Sequence, residues 1–127
     1  MALKHVVLVD DDAGVTEMYR TGLTAMGFSV AVEDGGEGLF RAVDQRVPDI
    51  IVLDWQLRGE RGDEVLHRIR LDARTRNLPV LMLSNFPSST LEAIDRTFAG
   101  GVLAWLEKVK TPPALLAHRL REALARE

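Results

Sequence analysis

Pro48-Asp49-Ile50-Ile51-Val52-Leu53-Asp54, residues 48–54, places four consecutive bulky aliphatic residues between two aspartates. A short aliphatic run with no polar alternation reads as a strand buried on both faces, as in a parallel sheet. Asp54, directly after the run, has no packing reason to be there. Working outward, four more such runs occur: His5–Val9, Phe28–Val32, Val80–Leu83 and Val102–Leu106.

Between the runs lie longer segments with helical spacing. Val15, Met18, Tyr19, Leu23 and Met26 fall at three- and four-residue steps, which makes one apolar stripe. Leu39, Phe40 and Val43 repeat the pattern, as do Val65, Leu66 and Ile69, then Leu91, Ile94 and Phe98, then Leu116, Leu120 and Leu124. Gly27 closes the first helix. Pro48 and Pro79 stand just ahead of strands three and four, and Gly100-Gly101 precedes strand five. Ser88 and Ser89 are cap candidates for the fourth helix, with Glu92 three residues after Ser89. Pro112 and Pro113 suit the first turn of the fifth. The order is therefore βαβαβαβαβα. Alternation with crossovers of this length gives parallel strands and right-handed connections. The expected fold is α/β: a flavodoxin-like, doubly wound, five-stranded parallel sheet of order 2-1-3-4-5 with five helices. Its ligand site lies beyond the carboxyl ends of the strands, between strands one and three.

The chain has 127 residues, enough for one domain over residues 1–127 and for a core without staples. There is no cysteine, which excludes disulfides and thiolate metal sites. The N-terminal apolar run is broken by three aspartates, so it is neither a signal peptide nor a membrane span. Residues 1–57 carry ten acids and four bases, and residues 58–127 carry nine acids and twelve bases. Arginines recur at 58, 61, 68, 70, 74 and 76. They read as a solvated face, since direct nucleic-acid binding needs a more basic domain with a reading motif.

Strand one ends in Asp10-Asp11-Asp12 and strand three in Asp54. As neighbours in the expected sheet, they gather carboxylates at one edge. Such a cluster is unfavourable unless protonated or neutralised by a cation, and hard oxygen ligands suit Mg²⁺. Asp12 also reads as an N-cap of the first helix. Strand four ends in Ser84, and Lys108 follows strand five. Singly these are an ordinary turn residue and a solvated lysine. Together the edge holds a carboxylate nucleophile, a divalent-metal site, a hydroxyl and an ammonium, the set needed for phosphoryl transfer to a carboxylate.

With these residues in place, the sequence resembles the response-regulator receiver family over essentially its whole length. The matching stretches are VVLVDDD at 6–12, GFSVAVEDGGEGL at 27–39, PDIIVLDWQLRGERG at 48–62, LPVLMLSNF at 78–86 and GGVLAWLEKV at 100–109. The resemblance implies that Asp10 and Asp11 are the acidic metal-binding pair, that Asp54 is the phosphorylated aspartate, and that the backbone carbonyl of Gln56 completes a Mg²⁺ site. It makes Ser84 the switch hydroxyl, Trp105 the switch aromatic and Lys108 the family's lysine. It implies a phosphoryl donor, either a histidine kinase or a histidine phosphotransfer protein, a downstream partner of unspecified kind, and the bacterial cytoplasm. On phosphorylation, Ser84 and Lys108 would bond phosphoryl oxygens, Trp105 would turn inward, and the face formed by the fourth helix, fifth strand and fifth helix would change.

Four positions depart from the family pattern. Arg58 stands where Pro is frequent, Asn85 where a small residue follows the hydroxyl, Trp105 is larger than the usual aromatic, and Val109 replaces the Pro after the lysine. The lysine loop is therefore expected to differ in shape, and Trp105 reads either as a rotating switch or as a fixed surface contact. Gln56 and Phe86, each two residues past a site residue, are expected to sit over the site, where with Asn85 they would tune it. Phe86 is expected to hinder the attacking water. The alternative function is a receiver-like interaction module that is not phosphorylated. A phosphatase of the haloacid dehalogenase type is disfavoured because Gln56, not an acid, follows two after Asp54. A nucleotide or flavin binder is disfavoured because Gly36-Glu37-Gly38 lacks a third glycine. Leu115, Leu116, Leu120 and Leu124 mostly serve the core, with a share available to a homodimer interface.

Overall fold

The computed structural model describes residues 3–85 and 101–125. Strands β1 (His5–Val9), β2 (Ser29–Glu33), β3 (Ile50–Leu53), β6 (Val80–Ser84) and β7 (Ala104–Glu107) form one parallel sheet of order β2-β1-β3-β6-β7. This is the expected 2-1-3-4-5 order. Between them run α1 (Ala13–Ala25), α2 (Gly36–Gln45) and α3 (Gly62–Leu71), and a last helix, α4 (Pro113–Ala125), follows β7. The helix expected around Leu91, Ile94 and Phe98, with its Ser88 and Ser89 caps, lies outside the described residues, as does Phe86. No helix among the described residues is long and apolar enough to cross a membrane.

The sheet separates two cores. Val7, Val9, Ile51, Leu53, Val80 and Met82 point toward α2 and α3, while Val6, Leu8, Ile50, Val52, Leu81 and Leu83 point toward α1 and α4. This is why the central strands β1, β3 and β6 show no polar alternation: both faces are covered, and every residue in them is buried. The edge strands β2 and β7 are only half-buried, since each has a neighbour on one side alone. Strand boundaries also move: β2, β6 and β7 each run one residue further, to Glu33, Ser84 and Glu107. Phe28 belongs to the turn before β2, and Val102 and Leu103 lead into β7 rather than forming part of it.

The ends of α1 follow local chemistry. The Asp12 carboxylate accepts from the backbone N–H groups of Gly14 and Val15 at 3.0 and 3.1 Å, an N-cap. At the other end, Gly27 has φ +93°, and its N–H and that of Phe28 donate to Thr24 and Leu23 carbonyls, the two bonds of a Schellman turn. Gly36 and Gly38, the fragment resembling a phosphate loop, lie in the first turn of α2, where a Cβ on Gly38 would come within 2.5 Å of Glu33 Oε1. Their smallness serves close packing.

Two features were not anticipated. Gln56–Leu57 and Glu60–Arg61 pair as a two-stranded antiparallel ribbon, β4 and β5, turning at Arg58-Gly59, where Gly59 has φ +78°. Arg70, expected on a solvated face, is half-buried and donates to the carbonyls of Thr75, Arg76, Leu78 and Gly101. It thereby fixes the loop between α3 and β6 to the approach of β7.

Candidate functional site

Asp10, Asp54, Ser84 and Lys108 all leave the carboxyl ends of the sheet strands, and the parallel topology alone brings them together. They line one open cleft of about 580 Å³ with Asp11, Asp12, Gln56, Asn85, Glu60 and other residues of the ribbon. Asp10 and Asp54 are buried and Asp11 is half-buried; one carboxylate oxygen from each lies within 4.8 Å of the others. The Asp12 side chain is spent on its cap, while its backbone N–H donates to Asp10 Oδ1 at 3.0 Å. The acidic triplet thus divides its labour: two residues at the cluster and one at the helix.

Lys108 opens a short 3-10 turn, Lys108–Lys110, directly after β7. Its Nζ lies 2.6 Å from Asp10 Oδ2 and 3.2 Å from Asp54 Oδ2, with all three side chains at least nine-tenths buried. Asp10 Oδ2 nevertheless accepts no well-aligned hydrogen bond among the described residues, so its contact with the ammonium is an ion pair. The departure at Val109 leaves that residue 82% exposed, while the turn is held from below. The Tyr19 hydroxyl donates to the Thr111 carbonyl at 2.6 Å, and the Thr111 hydroxyl donates to the Glu107 carbonyl at 2.6 Å. Tyr19 and Thr111 therefore position the lysine, a role unreadable from sequence because the residues are 92 apart.

Burial and then the Asp10 charge push Asp54 up to about 6, although the Lys108 ammonium and a hydrogen bond from the Gln56 backbone act the other way. Burial by itself would lower Lys108, but the Asp10 and Asp54 carboxylates outweigh it and hold the ammonium above its usual range. Crowding of carboxylates adds to burial in raising Asp54 and outweighs burial in raising Lys108. An all-oxygen donor set with an under-satisfied, buried carboxylate oxygen fits a small hard dication such as Mg²⁺.

Ser84 is buried at the end of β6 and Asn85 is exposed, both facing the cleft; Gln56 is exposed beside them. Trp105, half-buried on β7, packs against the core on the α2–α3 side, its ring centroid 5.5 Å from that of Trp55 at an interplanar angle of 47°. Trp55 itself is buried next to Asp54 and carries the Arg61 guanidinium 5.9 Å above its ring. Gly62 lets this turn close: its N–H donates to the Trp55 carbonyl, and a Cβ there would lie 2.6 Å from the Asp54 carbonyl oxygen.

Comparison with known proteins shows the family and the fold. The family model for the response regulator receiver domain matches residues 6–119. A phosphate regulon transcriptional regulatory protein, PhoB, of Rhizobium meliloti is 30% identical over 116 residues, covering 91% of this chain and 50% of that protein. The PhoB of Pseudomonas aeruginosa is 32% identical over 84 residues, 66% of this chain and 37% of that protein. The chain thus spans half or less of the length of these curated relatives. Among solved structures, a response regulator from Chloroflexus aurantiacus superposes with a TM-score of 0.83 at 30% identity, covering 97% of this chain and 98% of that one.

Proposed function

The chain belongs to the response regulator receiver family of two-component signalling, and from that premise we propose that it accepts a phosphoryl group on Asp54 and relays the change to a partner. Receiver domains are signalling phospho-acceptors rather than enzymes acting on a separate substrate. The observation that carries the assignment to Asp54 is its placement: a buried carboxylate at the end of β3, 3.2 Å from the Lys108 ammonium and within one acidic cluster with Asp10 and Asp11.

In the proposed reaction an Asp54 carboxylate oxygen attacks phosphorus in line. The new O–P bond forms as the bond to the donor's leaving group breaks, and the leaving group departs with the electron pair. The donor is a histidine kinase or a histidine phosphotransfer protein, and the setting is the cytoplasm. Lys108, already at Asp54 Oδ2, moves little to reach a phosphoryl oxygen, and Ser84 Oγ lies on the same rim for another. Asp10, Asp11, Asp54 and the Gln56 carbonyl would hold Mg²⁺, which when bound offsets charge on the transferring oxygens. The phosphoryl group adds negative charge and acceptor oxygens beside β6 and β7, and so biases the position of the β7 face and its Trp105.

Beryllofluoride with Mg²⁺ mimics the phosphoryl group and tests this reading directly. Saturable binding that alters tryptophan fluorescence, and that is lost in Asp54→Asn, is expected. No binding to a folded parent protein would leave the interaction-module reading in its place.

A further inference from the structure

The ribbon β4–β5 carries Gln56, and it is tied down at one point. Glu60 pairs with Leu57 across the ribbon, as Arg61 does with Gln56. The Glu60 carboxylate reaches away from the ribbon to two other elements. Its Oε2 accepts from the backbone N–H of Gly36 at 2.9 Å, at the start of α2, and its Oε1 lies 2.5 Å from Arg68 Nη2 on α3. The side chain is about four-fifths buried. The two glycines beneath it are shaped to this contact. A Cβ on Gly35 would stand 2.9 Å from Glu60 Oε2, and one on Gly36 would stand 2.1 Å from Arg68 Nη2 and 3.1 Å from Glu60 Oε1. A carboxylate at a helix N-terminus is favoured by the backbone dipoles there, and a carboxylate–guanidinium contact adds a charge-assisted hydrogen bond.

Resting on the reading of Gln56 as a Mg²⁺ ligand, we propose that Glu60 is a positioning residue for the metal site, holding the ribbon so that the Gln56 backbone stays over Asp54. Glu60 touches neither phosphorus nor metal in this account. It acts through a two-residue ribbon too short to hold its own shape, anchored to two helices that the sheet fixes. Gln56 already donates from its backbone to Asp54, so a displaced ribbon alters the cluster itself. Groups that orient metal ligands in this way change affinity by about 10- to 100-fold when removed.

The test is a Mg²⁺ titration of the full chain, followed by tryptophan fluorescence, for the parent, Glu60→Ala and Arg68→Ala, with the thermal midpoint of each measured without Mg²⁺. Acetyl phosphate labelling at saturating Mg²⁺ is measured alongside. The expected result is a dissociation constant for Mg²⁺ raised about tenfold in Glu60→Ala and severalfold in Arg68→Ala, with labelling recovered in both as Mg²⁺ is raised to saturation. A merely structural Glu60 would lower the midpoint and leave the dissociation constant of the folded fraction unchanged, and that result overturns the proposal. Should Glu60→Ala fail to fold, Arg68→Ala decides, an unchanged dissociation constant again overturning it. A parent that binds no Mg²⁺ overturns the metal-site reading itself, and this proposal with it.

Discussion

Asp54 and Lys108 are the residues whose energetics are most exposed to test. The raised Asp54 means that the folded protein holds this carboxyl protonated in a range where the unfolded chain has lost the proton. Its contribution to stability is therefore fully present below the ordinary carboxyl range, falls as pH rises from about 4 to about 6, and stays lost above. Asp54→Asn removes the buried charge at every pH. In metal-free buffer it is expected to stabilise the protein by about 2 kcal/mol above pH 6, after allowance for solvent screening, and by progressively less toward pH 4. Denaturant melts at a series of pH values check this; a gain independent of pH contradicts it. Lys108 is the converse case, the sole cation in contact with both carboxylates among the described residues. Lys108→Met strands them, and is expected to cost about 3 kcal/mol at pH 7 in chelator, with much of the loss recovered by Mg²⁺. An equal loss with and without Mg²⁺ would show that the ammonium and the metal do not serve the same carboxylates.

At the scale of elements, the lysine turn is positioned by the packing of α1 against α4. Gly22 on α1 meets Pro113 at the start of α4 so closely that a Cβ would stand 2.4 Å from Pro113 Cβ. Gly22→Ala replaces glycine by a better helix former yet is expected to destabilise by about 1–3 kcal/mol through overpacking. Urea denaturation decides the sign, and a stabilised variant would show that α4 shifts freely. The same contact shows what sequence makes legible. Runs such as Ile50–Leu53 and stripes such as Val65, Leu66 and Ile69 announce their elements, because burial on both faces or on one stripe writes itself into local pattern. The carboxyl-end acids and Lys108 follow once strand order is fixed. The Tyr19–Thr111 bond, the reach of Arg70 to the Gly101 carbonyl and that of Glu60 to Gly36 join residues far apart in the chain, and no local periodicity encodes them. The β4–β5 ribbon had one local signal, Arg58-Gly59 between short flanks, too brief to distinguish from any loop.

For the whole molecule, the two-core sheet is a rigid base, and the chemistry sits where loops leave its carboxyl edge. Chain topology gathers Asp10, Asp54, Ser84 and Lys108 from four strands, so the acidic cluster is assembled by the fold, and among the described residues the Lys108 ammonium is what holds Asp10 and Asp54 together. The two PhoB relatives are named as transcriptional regulatory proteins and are at least twice as long as the stretch they share with this chain. Phosphoryl transfer to Asp54, as proposed, is independent of any output. Intact mass spectrometry after incubation with Mg²⁺ and acetyl phosphate, for the parent beside Asp54→Asn, tests it most directly. One phosphoryl adduct on the parent and none on Asp54→Asn is the predicted result. A folded, Mg²⁺-binding parent that gains no adduct, or an adduct equally present on Asp54→Asn, would contradict it.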